Sequence, residues 1–278
     1  MLTNLIIKMY RSIFAHRFFS KFNNFLFLLS LHGLGILNYE NLEVSGELAF
    51  VSSYLGLIKT KSPFVVDIGA NEGAYSSLIT FLSPKSSVVA FEPHPKTFKK
   101  IEKIAKQSSF KVINYGMSDK PGILKFYDYK EKDGSAHASL YKNVIEKIHN
   151  KPSTVHKIKV TTLDAYFSKT LTKNKTINLL KVDTEGHEYN VLLGAQKLLK
   201  AKKIDVIQFE FNDMNIESKT FLTDFIRLLD DYVIFRVLPN SLLPIGNFSP
   251  LFIELFAFQN IVAIRKDLKS VVQHYKQN

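Results

Sequence analysis

The sequence contains no cysteine among its 278 residues. This absence excludes disulfide bonds, thiolate zinc sites, iron–sulfur clusters and a cysteine nucleophile, so oxygen and imidazole groups must carry any chemistry. With 46% hydrophobic and 22% charged residues, the composition is that of a folded protein and excludes disorder, collagen and heptad arrays as the main architecture. The length suits one large α/β domain or two small ones.

Acidic residues are absent from residues 1–37. Four cationic residues occur there at helical spacing among apolar ones: Lys8, Arg11, Arg17 and Lys21. The apolar run at 25–31 is similar to the centre of a signal peptide, but it is short of the ~20 residues that span a membrane and has no small-residue cleavage site after it. We therefore predict a helical, basic segment over residues 1–59, in which the first 37 residues form a pair of helices packed on the main domain.

The alternative for residues 1–37 is a basic amphipathic helix in peripheral contact with an anionic membrane. The net charge of the whole chain is +12, which favours anionic partners but leaves nucleic acid, anionic lipid and acidic glycans all open. Because the sequence shows neither a credible signal peptide nor a span, the expected location is the cytoplasm, with the inner face of the membrane as a peripheral site.

The second predicted domain covers residues 60–278. Short runs rich in Val, Ile and Phe alternate with helical segments, which is typical of βαβ units and a mainly parallel sheet. The pattern predicts strands at 64–68, 87–91, 111–115, 177–182 and 204–209, and helices at 74–82, 94–107, 187–200 and 218–230. Runs at 232–238 and 260–265, with no helix between them, predict an antiparallel hairpin at the sheet edge. The polar range 128–157 predicts a loop or a helical flap.

Four of the predicted parallel strands end in a carboxylate: Asp67, Glu92, Asp183 and Glu210. One acid after a strand is ordinary turn or capping chemistry. Ligands of an open parallel sheet bind outside the carboxyl ends of its strands, so these four acids are expected at one edge. Their mutual repulsion would be costly unless a cationic or hydrogen-bonding group lay among them. The pattern therefore predicts a ligand site.

A glycine-containing loop follows the first of these acids and reads D-I-G-A-N-E-G at 67–73. Asn71 stands where a dinucleotide fingerprint requires glycine, and the G-K-[ST] ending of an ATP-binding loop is absent. Glu92 lies nineteen residues beyond Gly73, where an acid can accept hydrogen bonds from both hydroxyls of a ribose. A nucleoside without phosphates satisfies both facts, and the positive charges of S-adenosylmethionine suit an acid-lined pocket.

Five segments, in the order of the chain, resemble one known family. They are D-I-G-A-N-E-G at 67–73, F-E-P at 91–93, N-Y-G-M-S-D at 114–119, T-L-D at 162–164 and D-T-E-G-H-E at 183–188. On these motifs residues 64–212 are similar to the FkbM-type S-adenosylmethionine-dependent methyltransferases. The sequence departs from many relatives at Thr184, where they carry an aliphatic residue.

The resemblance implies an α/β fold of the Rossmann-like class I methyltransferase type: a mainly parallel seven-stranded sheet with helices on both faces and an antiparallel C-terminal hairpin. It implies S-adenosylmethionine as cofactor, O-methylation of a sugar or natural product, a small-molecule or glycan acceptor and a bacterial surface-polysaccharide pathway. The residues that the resemblance places around the cofactor are Asp67, Gly69, Asn71, Gly73 and Tyr75 at its methionine part, Glu92 at the ribose, and Pro93, Met117 and Ser118 at the adenine.

Methyl transfer to a hydroxyl requires alignment of the acceptor oxygen and removal of its proton. The candidate catalytic residues are Asp183, Glu185 and His187, with Glu185 or His187 as general base. His137, in the predicted flap, is a second candidate base. A divalent cation such as magnesium, held by Asp183, Glu185, His187 and Glu210, would be an alternative way to lower the pKa of the hydroxyl, and we favour the metal-free version. Glu188 suits the N-terminus of the following helix.

Two further functions stay open at this level. Methylation of nucleic acid is suggested by the charge of +12, but no N-P-P-Y-like tetrapeptide follows the fourth strand, so no nucleic-acid partner is expected. A catalytically silent protein that binds S-adenosylmethionine, or a membrane-associated scaffold, is the other alternative. The presence of Asp183, Glu185 and His187 together argues against it, since a silent domain has no evident need of three ionisable groups at one strand end.

Overall fold

The computed structural model describes residues 2–172, 175–246 and 248–277. The strands, in chain order, are β1 Phe64–Ile68, β2 Ser87–Phe91, β3 Lys111–Ile113, β4 Gly116–Met117, β5 Gly122–Tyr129, β6 Ser153–Thr161, β7 Ile177–Val182, β8 Ile204–Phe211, β9 Tyr232–Val237, β10 Leu242–Pro244 and β11 Gln259–Arg265. The helices are α1 Leu2–Phe14, α2 Ser20–Gly33, α3 Glu47–Leu57, α4 Ala74–Leu82, α5 Pro95–Gln107, α6 Leu163–Thr170, α7 Glu188–Leu193, α8 Gln196–Lys200, α9 Met214–Ser218, α10 Leu222–Leu228, α11 Pro250–Ile253 and α12 Lys269–Gln277.

The main sheet has the order β10-β9-β11-β8-β7-β1-β2-β3. Strands β1, β2, β3, β7 and β8 pair in parallel, and β11 runs antiparallel between β8 and β9. The chain moves outward from β1 to β3 and then returns to β7 on the other side of β1. This reversal opens a crevice at the carboxyl ends of β1 and β7, the usual ligand position in such sheets.

Helices cover both faces of this sheet, because successive residues of a strand point to opposite sides. In β1, Val65 belongs to the core cluster that includes α3, α4, α5 and α12, whereas Val66 belongs to the cluster that includes α6, α7, α8 and α10. All five residues of β1 are buried, as expected for a central parallel strand. The predicted α/β fold with a mainly parallel sheet and an antiparallel C-terminal part is confirmed.

Several details differ from the sequence-based expectation. The sheet has an eighth strand, because the short β10 pairs with β9. The helix predicted at 187–200 is divided into α7 and α8 near Gly194, where the backbone lies against the carbonyl of Ser118 and a Cβ atom would come within 2.1 Å of its oxygen. The helix predicted at 218–230 is shorter, as α10, and α9 precedes it.

A second sheet, with the order β4-β6-β5, was not predicted. The expectation of a loop or helical flap over 128–157 is wrong at both ends of that range, which belong to β5 and β6. These two strands pair antiparallel over eight residues. Only the middle of the range is a loop with a π-helical turn, Val144–Ile148, whose buried Val144 and Ile145 pack against Met214. The alternation of side chains along β5 and β6 is irregular, which hid the strands from a search for a period of two.

The first two helices project from the domain. Every residue of α1 is exposed or half-buried, and in α2 only Leu31 is buried. The expectation that residues 1–37 pack on the main domain is therefore wrong for most of this segment. Attachment begins just after α2: the carbonyl of Leu34 accepts a hydrogen bond from Arg236, and Ile36 is fully buried and forms a β-bridge with Gln259. Within the described part of the chain, no helix has both the length and the apolar character needed to cross a membrane.

Candidate functional site

A cavity lies at the carboxyl ends of β1, β2 and β7 and is bounded on one side by the second sheet. Its apolar lining includes Ile68, Phe91, Met117, Phe126, Ile158 and Val160. Its polar lining includes Asn71, Glu92, Asp183, Thr184, Glu185 and His187. The cavity thus combines apolar walls with a few polar groups at strand ends.

The glycine loop brings the ends of β1 and β7 together. Gly69 has a φ of +78°, and a Cβ atom there would lie 1.7 Å from the carbonyl oxygen of Asp183. Only glycine fits so close to another backbone. Asn71 also has a left-handed backbone, with a φ of 46°, and its backbone N–H points to the Glu92 carboxylate. The loop therefore orients a carboxylate on the neighbouring strand.

Glu92 follows β2, and two backbone N–H groups hold its carboxylate at the cavity. Its Oε2 accepts a hydrogen bond from Asn71 N at 2.9 Å and its Oε1 accepts one from His94 N at 2.7 Å. Burial raises the pKa of Glu92 to about 8, although these two hydrogen bonds oppose the shift. Each oxygen keeps a lone pair for a further donor. The geometry therefore leaves room for the two hydroxyls of a ribose at Glu92, and this role stays a prediction.

The sequence-predicted cofactor residues divide into two groups. Those that line the cavity are Gly69, Asn71, Glu92, Pro93 and Met117. Those that lie behind its wall are Asp67, Gly73, Tyr75 and Ser118.

Three of the residues behind the wall act on β1 and its loop. Asp67 is buried and accepts a hydrogen bond from Ser76 Oγ at 2.6 Å, and burial raises its pKa to about 6. Gly73, with a φ of +84°, precedes the first turn of α4. Tyr75 donates its hydroxyl to Gln208 Oε1 at 2.7 Å inside the core. The contacts of Asp67 and Tyr75 thus lie inside the protein, with α4 and β8.

A buried lysine, missed by the sequence analysis, lies among the strand-end carboxylates. Lys181 Nζ is 3.0 Å from Glu47 Oε1, 3.2 Å from Asp183 Oδ2 and 4.0 Å from Glu210 Oε1. Burial alone would lower the pKa of Lys181, but the three carboxylates raise it well above its ordinary value. Lys181 is therefore the cation that offsets the repulsion among the strand-end carboxylates. The available signal was a lysine within the largely apolar strand β7.

The candidate metal ligands do not form a site that fits a divalent cation. The ammonium group of Lys181 lies between Asp183 and Glu210, where the cation would have to bind. His187 uses both ring nitrogens in hydrogen bonds: Nε2 to Ser118 Oγ at 2.9 Å, and Nδ1 to Tyr141 and Asn190. Burial lowers the pKa of His187 to about 4, so this ring is neutral and a weak base. Its contacts anchor the turn after β7.

A second group with the donor atoms for a metal links α5 to the second sheet. His94 Nε2 lies 3.0 Å from Asp133 Oδ1, and His156 Nε2 lies 2.7 Å from the same oxygen. His94 Nδ1 accepts hydrogen bonds from two backbone N–H groups at the start of α5, so its proton is on Nε2 and faces Asp133. Lys96 Nζ is 2.6 Å from the other oxygen of Asp133. Hydrogen bonds and an ion pair account for this cluster.

The D-T-E-G-H-E segment forms a tight turn after β7. Glu185 has a left-handed φ of 53°, and Gly186 follows with a φ of 98°. Glu188 Oε1 accepts hydrogen bonds from the backbone N–H groups of Thr184 and Gly186, so the structure places Glu188 in the support of this turn. The turn directs Glu185, rather than Glu188, into the lining of the cavity.

Glu185 and His137 form a pair beside the cavity. His137 Nδ1 is 3.5 Å from Glu185 Oε1, and this contact raises the pKa of the histidine above its ordinary value. Glu185 Oε2 is buried and has no hydrogen-bond partner among the described residues, which leaves an acceptor available to a ligand. His137 is half exposed and outside the cavity lining, between the lining residues Ala136 and Ala138. The structure therefore brings two of the four candidate catalytic residues into contact.

The sequence of residues 67–236 matches the family described as the methyltransferase FkbM domain. The chain belongs to the FkbM methyltransferase family. The resemblance noted from the sequence motifs is thereby confirmed, and the matched range contains the end of β1, the glycine loop, Glu92, the second sheet and the turn after β7. No curated protein sequence matches this FkbM methyltransferase.

Among solved structures, this chain is similar to an FkbM methyltransferase from Methylobacillus flagellatus KT, with 13% identity and a TM-score of 0.45. The similarity covers 85% of this chain and 58% of that protein, so the chain spans less than two thirds of its length. The precorrin-6y C5,15-methyltransferase from Geobacter metallireducens GS-15 matches with 12% identity and a TM-score of 0.39, over 82% and 91% of the two chains. The plantazolicin methyltransferase BpumL matches with 12% identity and a TM-score of 0.44, over 95% and 100%.

Proposed function

We propose that this FkbM methyltransferase transfers a methyl group from S-adenosylmethionine to a sugar hydroxyl in a polysaccharide or glycoconjugate. The observation that carries the proposal is one cavity lined by the Glu92 carboxyl group after β2 and, across β1, by Glu185 after β7, which contacts His137 beside the cavity. The carboxyl group of Glu92 suits an adenosine-containing cofactor, and the contact between Glu185 and His137 suits an acceptor hydroxyl that must lose a proton.

The chain's own residues fit the cofactor. Glu92 would accept the ribose hydroxyls, and Phe91, Pro93 and Met117 would border the adenine with apolar surface that excludes water. The carboxylates on the β7 side would attract its positive groups. When bound, S-adenosylmethionine supplies an electrophilic methyl group on a sulfonium centre. The protein must then hold the acceptor oxygen in line with that methyl group.

The proposed general base is His137, oriented by Glu185. With Nδ1–H facing Glu185 Oε1, the free Nε2 of His137 accepts the proton of the acceptor hydroxyl, and the carboxylate stabilises the resulting imidazolium. His187 is the weaker candidate because its pKa is about 4 and its ring nitrogens are engaged. Asp183, next to Lys181, would attract the cofactor rather than take the proton.

Replacing His137 with glutamine is expected to lower kcat about 100- to 10,000-fold, the usual contribution of a general base, while binding of S-adenosylhomocysteine stays unchanged. The wild-type rate should rise with pH through a pKa above that of a free histidine, because the base must be neutral, and this limb should vanish in the variant. The measurement is release of S-adenosylhomocysteine in the presence of a panel of oligosaccharides and small hydroxylated natural products.

His149→Gln is the matched control for His137→Gln. The ring of His149 lies 5.3 Å from that of His137, but the Nδ1 of His149 bonds to the Tyr129 hydroxyl. The His149→Gln variant should therefore keep the rise of the methylation rate with pH. A His137→Gln enzyme with wild-type kcat would assign the proton transfer to another group. Methylation of RNA or a small natural product, with no methylation of any glycan, would refute the proposed acceptor class.

A further inference from the structure

Helix α1 is amphipathic, and its apolar side faces away from the protein. When its residues are projected at 100° per residue, the apolar side chains fall on one continuous face and Asn4, Lys8, Arg11 and Ser12 on the other. The apolar residues on the outer surface include Leu2, Leu5, Ile6, Met9 and Ile13, all more than half exposed. A soluble helix normally buries such a face, so a partner for it is required.

Helix α2 and the turn before it extend this apolar surface. Phe18 is 87% exposed, and Phe25, Phe27 and Leu29 are more than half exposed. The two helices form one unit, because the Tyr10 hydroxyl donates to Asn23 Oδ1 at 2.5 Å and Asn23 Nδ2 donates to the carbonyl of Phe14 at 2.9 Å. We call residues 2–33 the helical pair.

The charge of the helical pair identifies the partner. Lys8, Arg11, Arg17 and Lys21 are its charged side chains, and the first acidic residue of the chain is Glu40. Two copies of so cationic a surface would repel each other, whereas an anionic bilayer offers both apolar depth and negative charge. We propose that the helical pair binds the surface of an anionic lipid bilayer, with the apolar face in the headgroup and acyl boundary and the cationic residues at the lipid phosphates.

The helical pair leaves the domain at the same sheet edge as the cavity. Its connection to the core is the bridge between Ile36 and Gln259, and Gln259 is paired with Phe211 at the carboxyl end of β8. The carboxyl ends of β1 and β7, which border the cavity, lie along this edge. Bilayer binding would therefore bring the cavity close to the lipid surface. Resting on the proposed function, this position implies that the acceptor is a glycan anchored to lipid.

Flotation of the full chain with vesicles tests the proposal. Wild-type protein should float with vesicles that contain phosphatidylglycerol, bind phosphatidylcholine vesicles much more weakly, and lose affinity as salt is raised. Lys8→Gln/Arg11→Gln should weaken partition about 25-fold, since each cation contributes about fivefold. Ile6→Ser/Ile13→Ser should weaken it at least as much.

Two matched variants control for general surface effects. Phe81→Ser removes an 81%-exposed ring at the end of α4, on the opposite edge of the sheet, and Lys99→Gln/Lys103→Gln removes two exposed cations of α5. Both should float like the wild type. Absence of binding to anionic vesicles at low salt would overturn the proposal. So would a stable dimer in light scattering that Ile6→Ser/Ile13→Ser dissociates.

The lipid-anchored acceptor has a separate readout. Wild-type protein should methylate a lipid-linked oligosaccharide in anionic vesicles at least tenfold faster than Ile6→Ser/Ile13→Ser, while both methylate the free oligosaccharide equally. If wild type and Ile6→Ser/Ile13→Ser methylated the lipid-linked acceptor at equal rates, the proposal that bilayer binding brings the cavity to a lipid-anchored acceptor would be refuted. Titration with S-adenosylhomocysteine tests the proposed function independently, because the helical pair contributes no residue to the cavity lining.

Discussion

Replacing Glu92 with glutamine is expected to weaken binding of S-adenosylhomocysteine about 30- to 100-fold at pH 9. The variant loses one charged acceptor for the ribose, and hydrogen bonds to a charged group contribute about 1.5 to 3 kcal/mol. One of the two backbone N–H groups that bond to Glu92 would also face an amide NH₂ instead of an oxygen. Isothermal titration gives the affinity, and thermal unfolding of the same samples gives the cost to the fold.

The pH dependence separates loss of the ribose acceptor from general damage. The pKa of Glu92 is about 8 in the ligand-free protein, so the carboxyl is mostly protonated at pH 7. Ribose hydroxyls prefer the ionised carboxylate, so binding lowers this pKa and releases a proton. Wild-type affinity should therefore rise from pH 6.5 to about 8.5 and then level off. Asp67, whose pKa is about 6, is largely ionised over this window.

In the Glu92→Gln variant this rise in affinity should disappear. Glu72→Gln is the matched control, because Glu72 lies in the same loop but is exposed and pairs with Lys100 at 2.8 Å. It should keep both the affinity and the pH profile of the wild type. A Glu92→Gln protein with wild-type affinity at pH 9 would show that the ribose binds elsewhere and would remove the main support for the proposed cofactor site.

The parallel half of the fold could be predicted because its signals are local. β1 and β2 have the predicted bounds, and α4 begins and ends where its apolar period does. The second sheet could not be predicted in this way. β5 and β6 carry lysines at several positions, and their stability comes from pairing with each other across a long loop. Propensity within one segment does not report such a non-local pairing.

The candidate site was predictable in its strand ends but not in the contacts between them. The sequence correctly indicated that the four acids would repel one another. It did not indicate that Lys181 would lie among them or that Glu47 would pair with this lysine. Glu47 lies 134 residues before Lys181, in a helix that the sequence analysis placed in a separate segment. The alternative in which Asp183 and Glu210 bind a metal could not be judged from the sequence for the same reason, because the position of the lysine is fixed only by tertiary packing.

Replacing Lys181 with methionine is expected to lower the free energy of unfolding by about 3 to 5 kcal/mol at pH 8. Methionine keeps the length of the side chain, but it leaves the carboxylates of Glu47, Asp183 and Glu210 without their shared cation. Removal of one partner from a buried ion pair costs more than the pair contributes, because the remaining charge stays buried. Urea unfolding of wild type and variant at the same pH measures the difference.

The pH dependence of this difference has a definite sign. The folded-state pKa of Lys181 lies above its unfolded value, so its stabilising effect is fully present below about pH 10 and is lost only as the pH rises further. In the variant the buried carboxylates lack a cation, and protonation of carboxyl groups at low pH removes this uncompensated charge. The difference in unfolding free energy should therefore be large at pH 8 and shrink as the pH falls toward 5.

A second substitution shows whether the cost comes from uncompensated charge. Lys181→Met/Glu47→Gln removes one of the stranded carboxylates and keeps an acceptor for the amide of Gln208, which bonds to Glu47 at 2.7 Å. It should recover about 1 to 2 kcal/mol at pH 8 relative to Lys181→Met. Lys99→Met, on the exposed face of α5, should change stability by less than about 0.5 kcal/mol. If Lys181→Met were equally destabilised at pH 5 and pH 8, the loss would come from packing, and Lys181 would not be the cation that holds the strand-end carboxylates together.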